Sequence, residues 1–166
     1  MKKLSFYSVL VVSPALFAEG VTGGLLALSS THQLMLFVAF ITISIGMLSS
    51  AYALTISLSA YAACKKELRS NAFIPAVMPG SQGLYSFAIS FLMIQNMASK
   101  PLEVTFAGVI CGLPCLISAI GQARTAAACI RSINNGEMTQ GQALLATGVP
   151  ELYALTGLAG AFLVMA

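Results

Sequence analysis

The chain has 166 residues, of which 58% are hydrophobic and only 8% charged, with a formal net charge of +3 and a mean hydropathy of +0.89. A soluble domain carries about 25% charged residues, so this chain lacks the polar surface to cover a globule in water and reads as an integral membrane protein. Its few basic residues form no stripe, which excludes nucleic-acid recognition and leaves them as signals of membrane topology.

The N-terminus, residues 1–18, combines Lys2 and Lys3, a short apolar run, Pro14 and a small residue at Ala18. These are the parts of a secretory signal peptide with cleavage after Ala18; left uncleaved, the segment is a short N-terminal membrane anchor. Residues 19–31 are rich in Gly and Ser and read as a loop. From His32 to about Cys64 the sequence is long, apolar and almost uncharged, with small residues at Gly46, Ser49, Ser50, Ala53, Ser57, Ala60 and Ala63. Such spacing lets a neighbouring backbone come close. Lys65-Lys66-Glu67-Leu68-Arg69-Ser70-Asn71 reads as a polar loop. A second span is expected over about Ala72 to Ala98, interrupted at Pro79-Gly80 and closed by the turn Ser99-Lys100-Pro101.

The third span is expected from about Leu102 to Ile130, followed by a polar loop over Arg131–Thr139. The fourth begins near Gln140 and continues to the end. Cys111 and Cys115 lie four apart on one helix face. With His32 the only histidine, these two, Cys64 and Cys129 read as packing residues rather than metal ligands.

The halves repeat. Ala60-Tyr61-Ala62-Ala63-Cys64 is echoed by Thr125-Ala126-Ala127-Ala128-Cys129, and Leu84-Tyr85 by Leu152-Tyr153. The expected fold is therefore all-α: four transmembrane helices as two tandem hairpins, at 32–98 and 99–166. Each hairpin has a long first helix, a polar connection and a second helix broken by proline ahead of its polar residue. Lys65, Lys66, Arg69, Arg124 and Arg131 gather at the two hairpin connections, which the positive-inside rule places in the cytoplasm. Arg124 then serves as an anchor reaching toward that edge, and Glu137 is free to meet a soluble partner.

One carboxylate stands out. Glu151 sits in an apolar stretch where a charge costs roughly 2.5–3.5 kcal/mol on insertion scales. From Ala72 in to Gln82, from Arg131 in to Gln122, and from Gln140 in to Glu151 the helix rises about 15, 14 and 16 Å. Ser81 shares that level and Tyr85 lies one turn away. Three helices thus supply a carboxylate, two amides and two hydroxyls at one depth, an oxygen-rich set suited to an alkali cation or a proton. The proline at 79 releases a backbone carbonyl in the preceding turn as a further ligand. For Gln82, Ser81 and Gln122 taken singly, interhelical hydrogen bonding alone is an equal reading. A small glutamate-dependent secondary transporter and a structural four-helix membrane protein remain as alternatives.

Pro79-Gly80-Ser81-Gln82-Gly83-Leu84-Tyr85, Gly121-Gln122-Ala123-Arg124 and Val149-Pro150-Glu151-Leu152-Tyr153-Ala154 resemble the proteolipid ring subunit of V-type and archaeal-type rotary ATPases. The resemblance covers nearly everything after Thr31. It implies that Glu151 is the ion-carrying glutamate, that Ser81, Gln82 and Gln122 are side-chain sodium ligands, that Met78 offers its backbone carbonyl, and that Tyr85 hydrogen-bonds Glu151. The family commonly has threonine where this chain has Ser81; the hydroxyl is kept. The resemblance further implies a non-catalytic subunit that assembles with copies of itself into a ring in lipid. Its partners would be a membrane stator subunit and a soluble central-stalk subunit at the cytoplasmic hairpin connections. The ion carried would be sodium or a proton, with no bound cofactor. The signal-like N-terminus suggests a prokaryotic inner membrane.

Overall fold

The computed structural model describes residues 30–166. The expected signal segment 1–18, and all but the last two residues of the expected loop 19–31, lie outside the described residues. The chain divides into two compact units, Met1–Leu34 and Met35–Ala166. The described residues of the first are helical, and the helix packing belongs to the second.

Helix α1 spans Ser30–Ala62, α2 Arg69–Val77, α3 Ser81–Asn96, α4 Pro101–Asn134 and α5 Gln140–Met165, with 3₁₀ turns at Lys66–Leu68 and Met78–Gly80. Among the described residues, four helical stretches are long and apolar enough to cross a membrane: Thr31–Ala62, Lys66–Asn96, Pro101–Asn134 and Gln140–Met165. The all-α reading with four spans therefore holds.

Large and small residues are distributed for lipid rather than water. Phe87, Phe91, Ile117, Leu145, Leu152 and Leu163 project outward, while Ala53, Ala107, Ala119, Ala123, Ala126, Ala154 and Ala161 fill the interior. Without a hydrophobic drive between helices in lipid, close backbone approach supplies the packing. Two glycines set it. A Cβ on Gly46 of α1 would lie 2.0 Å from the Ser86 hydroxyl of α3, and one on Gly157 of α5 would lie 2.8 Å from the Ile110 carbonyl and 2.9 Å from the Pro114 ring of α4. Cys111 and Cys115 pack in the same interior as free thiols, their sulfurs 3.8 Å apart.

The second span is broken as expected. Pro75, Pro79 and Gly80 fall within six residues, so two backbone donors are lost in consecutive turns, and the chain passes from α2 through the 3₁₀ turn Met78–Gly80 into α3. Lipid cannot satisfy the backbone groups left over. Helix α1 does: the Ser57 hydroxyl donates to the Ala76 carbonyl at 2.7 Å, and the Ser50 hydroxyl accepts from the Gly83 N–H at 2.7 Å.

The fourth span corrects the expectation of two matching breaks. Helix α5 runs without interruption through Pro150, because a lone proline costs one donor and the turn before it finds a partner in the Gln122 amide of α4. The hairpin connections are also shorter than expected. Lys66 to Asn71, read as loop, forms the 3₁₀ turn and the start of α2; Lys, Glu, Leu and Arg are all good helix formers. The Arg69 guanidinium donates to the carbonyls of Cys64 and Ala62 at 3.3 and 3.2 Å, capping the end of α1. Helix α4 continues through Arg131 to Asn134, its basic residue in the last turn favourable to the helix dipole. At the opposite boundary α1 starts at Ser30, two residues before the expected His32. Thr139 opens α5 through a capping box with Gln142.

Each end of the bundle is tied. The Lys65 N–H donates to Asn134 Oδ1 at 2.8 Å, bringing the two hairpin connections together. The Lys100 ammonium donates to the carbonyls of Met165 and Ala166 at 2.8 and 2.9 Å, joining the middle turn to the end of α5.

The close approach at Gly157 has a measurable consequence. Gly157→Val lowers thermal stability in mild detergent, followed by circular dichroism, by about 1–3 kcal/mol, the range for overpacking. Gly141→Val, where an added Cβ meets nothing within 4 Å, is near neutral, since valine is no worse a helix former than glycine.

Candidate functional site

Three helices meet at Glu151. It lies in the middle of α5, half-buried, with both carboxylate oxygens engaged. The Tyr85 hydroxyl of α3 donates to Oε1 at 2.5 Å, and Gln122 Nε2 of α4 donates to Oε2 at 3.0 Å. Hydrogen bonds to an ionised acceptor are short and about twice as strong as neutral ones.

Gln122 is the centre of the arrangement and is fully buried. Its Nε2 also donates to the Thr147 carbonyl at 2.8 Å, in the turn that Pro150 loosens. Its Oε1 accepts from Gln82 Nε2 at 2.7 Å. Gln82, also fully buried, donates a second time, to the Ser118 hydroxyl at 3.3 Å. Ser118 in turn donates to the Pro150 carbonyl at 2.7 Å. The group therefore runs Tyr85, Glu151, Gln122, Gln82, Ser118 and back to the α5 backbone. It leaves one buried acceptor without a partner among the described residues, Gln82 Oε1.

The residues singled out in the sequence divide accordingly. Glu151, Tyr85, Gln122 and Gln82 are joined directly. Ser81 and Met78 stand at the break between α2 and α3: the Ser81 hydroxyl donates to the Met78 carbonyl at 3.0 Å, and no hydrogen bond links either to Glu151. Met78 nevertheless touches the turn that precedes Glu151, through its sulfur, 3.2 Å from the Thr147 hydroxyl. Arg124 is exposed on the other face of α4.

Ser118 and Thr147 escaped the sequence reading, which looked for groups dear enough to bury to need a task. Their signal was positional. Ser118 lies four residues before Gln122 and Thr147 four before Glu151, so each shares a helix face with the residue it serves.

Chemically, the centre is a carboxylate and a free amide oxygen, with the hydroxyl and carbonyl at the α2–α3 break one turn away. Oxygen ligands of this kind suit a hard cation or a proton. A buried acceptor left unmade costs about 1–3 kcal/mol, which a cation would offset.

Two stretches of the chain, residues 37–93 and 105–164, match the family model of the ATP synthase C subunit. They begin 68 residues apart, the spacing that also separates Leu84-Tyr85 from Leu152-Tyr153. The repeat is thus a repeat of one hairpin unit. No curated protein matches the chain.

Gln122 is the test of this geometry. Gln122→Leu removes the bonds to the Thr147 carbonyl and to a Gln82 N–H in the interior, and lowers detergent stability by about 2–6 kcal/mol, the sum of two unmade bonds at about 1–3 kcal/mol each. Tyr85→Phe removes one bond from the partly exposed carboxylate and costs less in the same melt.

Proposed function

The chain belongs to the ATP synthase C-subunit family, and from that we propose that it is the rotor-ring proteolipid of a V-type or archaeal-type rotary ATPase, carrying sodium ions or protons on Glu151. Members of the family are non-catalytic subunits that form homo-oligomeric rings in rotary ATPases; the chain is accordingly a multi-pass integral membrane protein and not itself an enzyme. The V-type or archaeal-type branch is supported by two hairpin units in one chain that share a single membrane carboxylate.

The observation that carries the ion-binding reading is the pairing of Glu151, held by Tyr85 and Gln122, with the partnerless Gln82 oxygen in the same hydrogen-bonded group. A cation bound there gains a carboxylate and an amide oxygen, and Ser81 and the Met78 carbonyl are one turn away to add to the shell. With the ion or a proton in place the site is neutral and passes through lipid at low cost. In the proposed cycle the ion loads at a stator half-channel and is displaced by a stator arginine after nearly a full turn. The hairpin connections, with Lys65, Lys66, Arg69 and Arg131, face a central-stalk subunit on the cytoplasmic side of a prokaryotic inner membrane.

Labelling with a carbodiimide tests this, since the reagent needs a protonated carboxyl in an apolar site. At fixed mildly acidic pH the wild-type chain labels at Glu151, and sodium suppresses the reaction if sodium is the ion carried. Labelling indifferent to sodium but falling as pH rises identifies the proton. In reconstituted complex, Glu151→Gln abolishes coupled transport while the ring still runs as a large oligomer in mild detergent. Transport surviving in Glu151→Gln would overturn the proposal and return the chain to a structural role.

A further inference from the structure

An amide side chain offers an oxygen or an N–H pair depending on a half-turn of its last bond, and the choice follows from its neighbours. Gln82 has its nitrogen committed twice, to Gln122 Oε1 at 2.7 Å and to Ser118 Oγ at 3.3 Å, both on α4. Its oxygen is turned away from those two groups, fully buried and without a partner. Which end of the amide is left free is therefore decided on α4, by the groups that hold the other end.

Of the two, Gln122 also holds Glu151. Ser118 does not. Its hydroxyl proton goes to the Pro150 carbonyl at 2.7 Å, so toward Gln82 it shows only lone pairs. An amide oxygen turned to meet them would find no proton, while an amide nitrogen finds an acceptor. The direction of the Ser118 proton is in turn fixed by α5, one residue before Glu151. A serine free to rotate would accept either end of the amide; this one accepts only the nitrogen.

We propose that Ser118 is a positioning residue that sets the ion preference of the site by fixing the Gln82 amide with its oxygen toward the ion. An oxygen so placed favours a metal cation over a proton, because a proton on Glu151 needs no further ligand shell whereas a metal cation does. The inference rests on Glu151 being the ion carrier and adds to that reading the residue that selects among ions.

The test is a sodium titration of carbodiimide labelling at Glu151 in the intact complex, for wild type, Ser118→Ala, Ser118→Cys and Ser118→Thr. In Ser118→Ala the sodium concentration that halves labelling, taken against that variant's own sodium-free level, rises roughly two- to tenfold, the equilibrium change expected for one hydrogen bond. Ser118→Cys moves the midpoint the same way, since sulfur is a weak acceptor, and keeps the size should the alanine variant fail to assemble. Ser118→Thr keeps the hydroxyl and stays near the wild-type midpoint. An unchanged midpoint in the alanine and cysteine variants, or a shifted one in Ser118→Thr, overturns the positioning role. If wild-type labelling ignores sodium, the ion is a proton and the selectivity argument fails at its premise, an outcome visible before any variant is made.

Discussion

A proline in a lipid-facing helix frees the carbonyl four residues back and loosens the turn around it, and in both hairpins a polar side chain of the first helix bonds a carbonyl of that turn. In the first hairpin the carbonyl three residues before Pro79, that of Ala76, takes the Ser57 hydroxyl. In the second the carbonyl three residues before Pro150, that of Thr147, takes the Gln122 amide. Aligning Ala60–Cys64 with Thr125–Cys129 puts Ser57 opposite Gln122. The repeat has therefore kept the task and changed the residue. A serine ends at the carbonyl, whereas a glutamine has a second N–H for Glu151 and an oxygen for Gln82. The polar centre grows out of a backbone requirement that each hairpin must meet in any case.

A second alignment, on the Leu-Tyr pairs, bears on the single carboxylate. Setting Leu84-Tyr85 against Leu152-Tyr153 puts Gly83 opposite Glu151. The Gly83 N–H is held by Ser50, and a Cβ there would lie 3.2 Å from both the Met47 sulfur and the Ser50 hydroxyl. An acid there would have to displace the Met47 and Ser50 side chains. What the first hairpin supplies instead is Tyr85, which bonds the acid of the other hairpin, and Gln82, which bonds the Gln122 that holds that acid. Neither hairpin is a complete site. The duplicated unit has divided the work, with the carboxylate on one copy and the donor and free acceptor on the other.

Much of this was legible in the sequence, for reasons that differ by residue. The spans were legible because a lipid-exposed helix is apolar on nearly every face, and Glu151 because a lone acid there is conspicuous. The common level of Gln82, Gln122 and Glu151 followed from counting inward from charged ends, since helix rise is constant; the hydrogen bonds among them put the three within reach of one another. The connections were misjudged because charge was taken for loop, although Lys66, Glu67 and Arg69 extend a helix into water at no loss. The break at Pro150 was misjudged because proline is a local signal, while continuity depends on whether neighbours hold the turn it loosens, as Gln122 does at Thr147. Ser118 and Thr147 were missed because a hydroxyl that bonds its own helix looks the same in sequence as one that reaches across.

What allows a polar centre in so apolar a chain is the placement of small residues. Gly157 brings α5 against the Ile110 carbonyl and the Pro114 ring of α4; seven residues earlier Pro150 lies against Ser118, and next to it Glu151 against Gln122. Gly46 brings α1 against Ser86, four residues beyond Gln82 on α3. Each close contact falls within one or two turns of the hydrogen-bonded group and involves a helix that supplies it. Glutamine amides reach their partners only over a narrow range of interhelical distance, because a hydrogen bond weakens steeply outside its geometry. The stripes of glycine and alanine are thus not packing separate from the site. They fix the spacing at which one acid, two amides and a phenol can satisfy one another in lipid, and at which an acceptor left over by that arrangement is available to a cation.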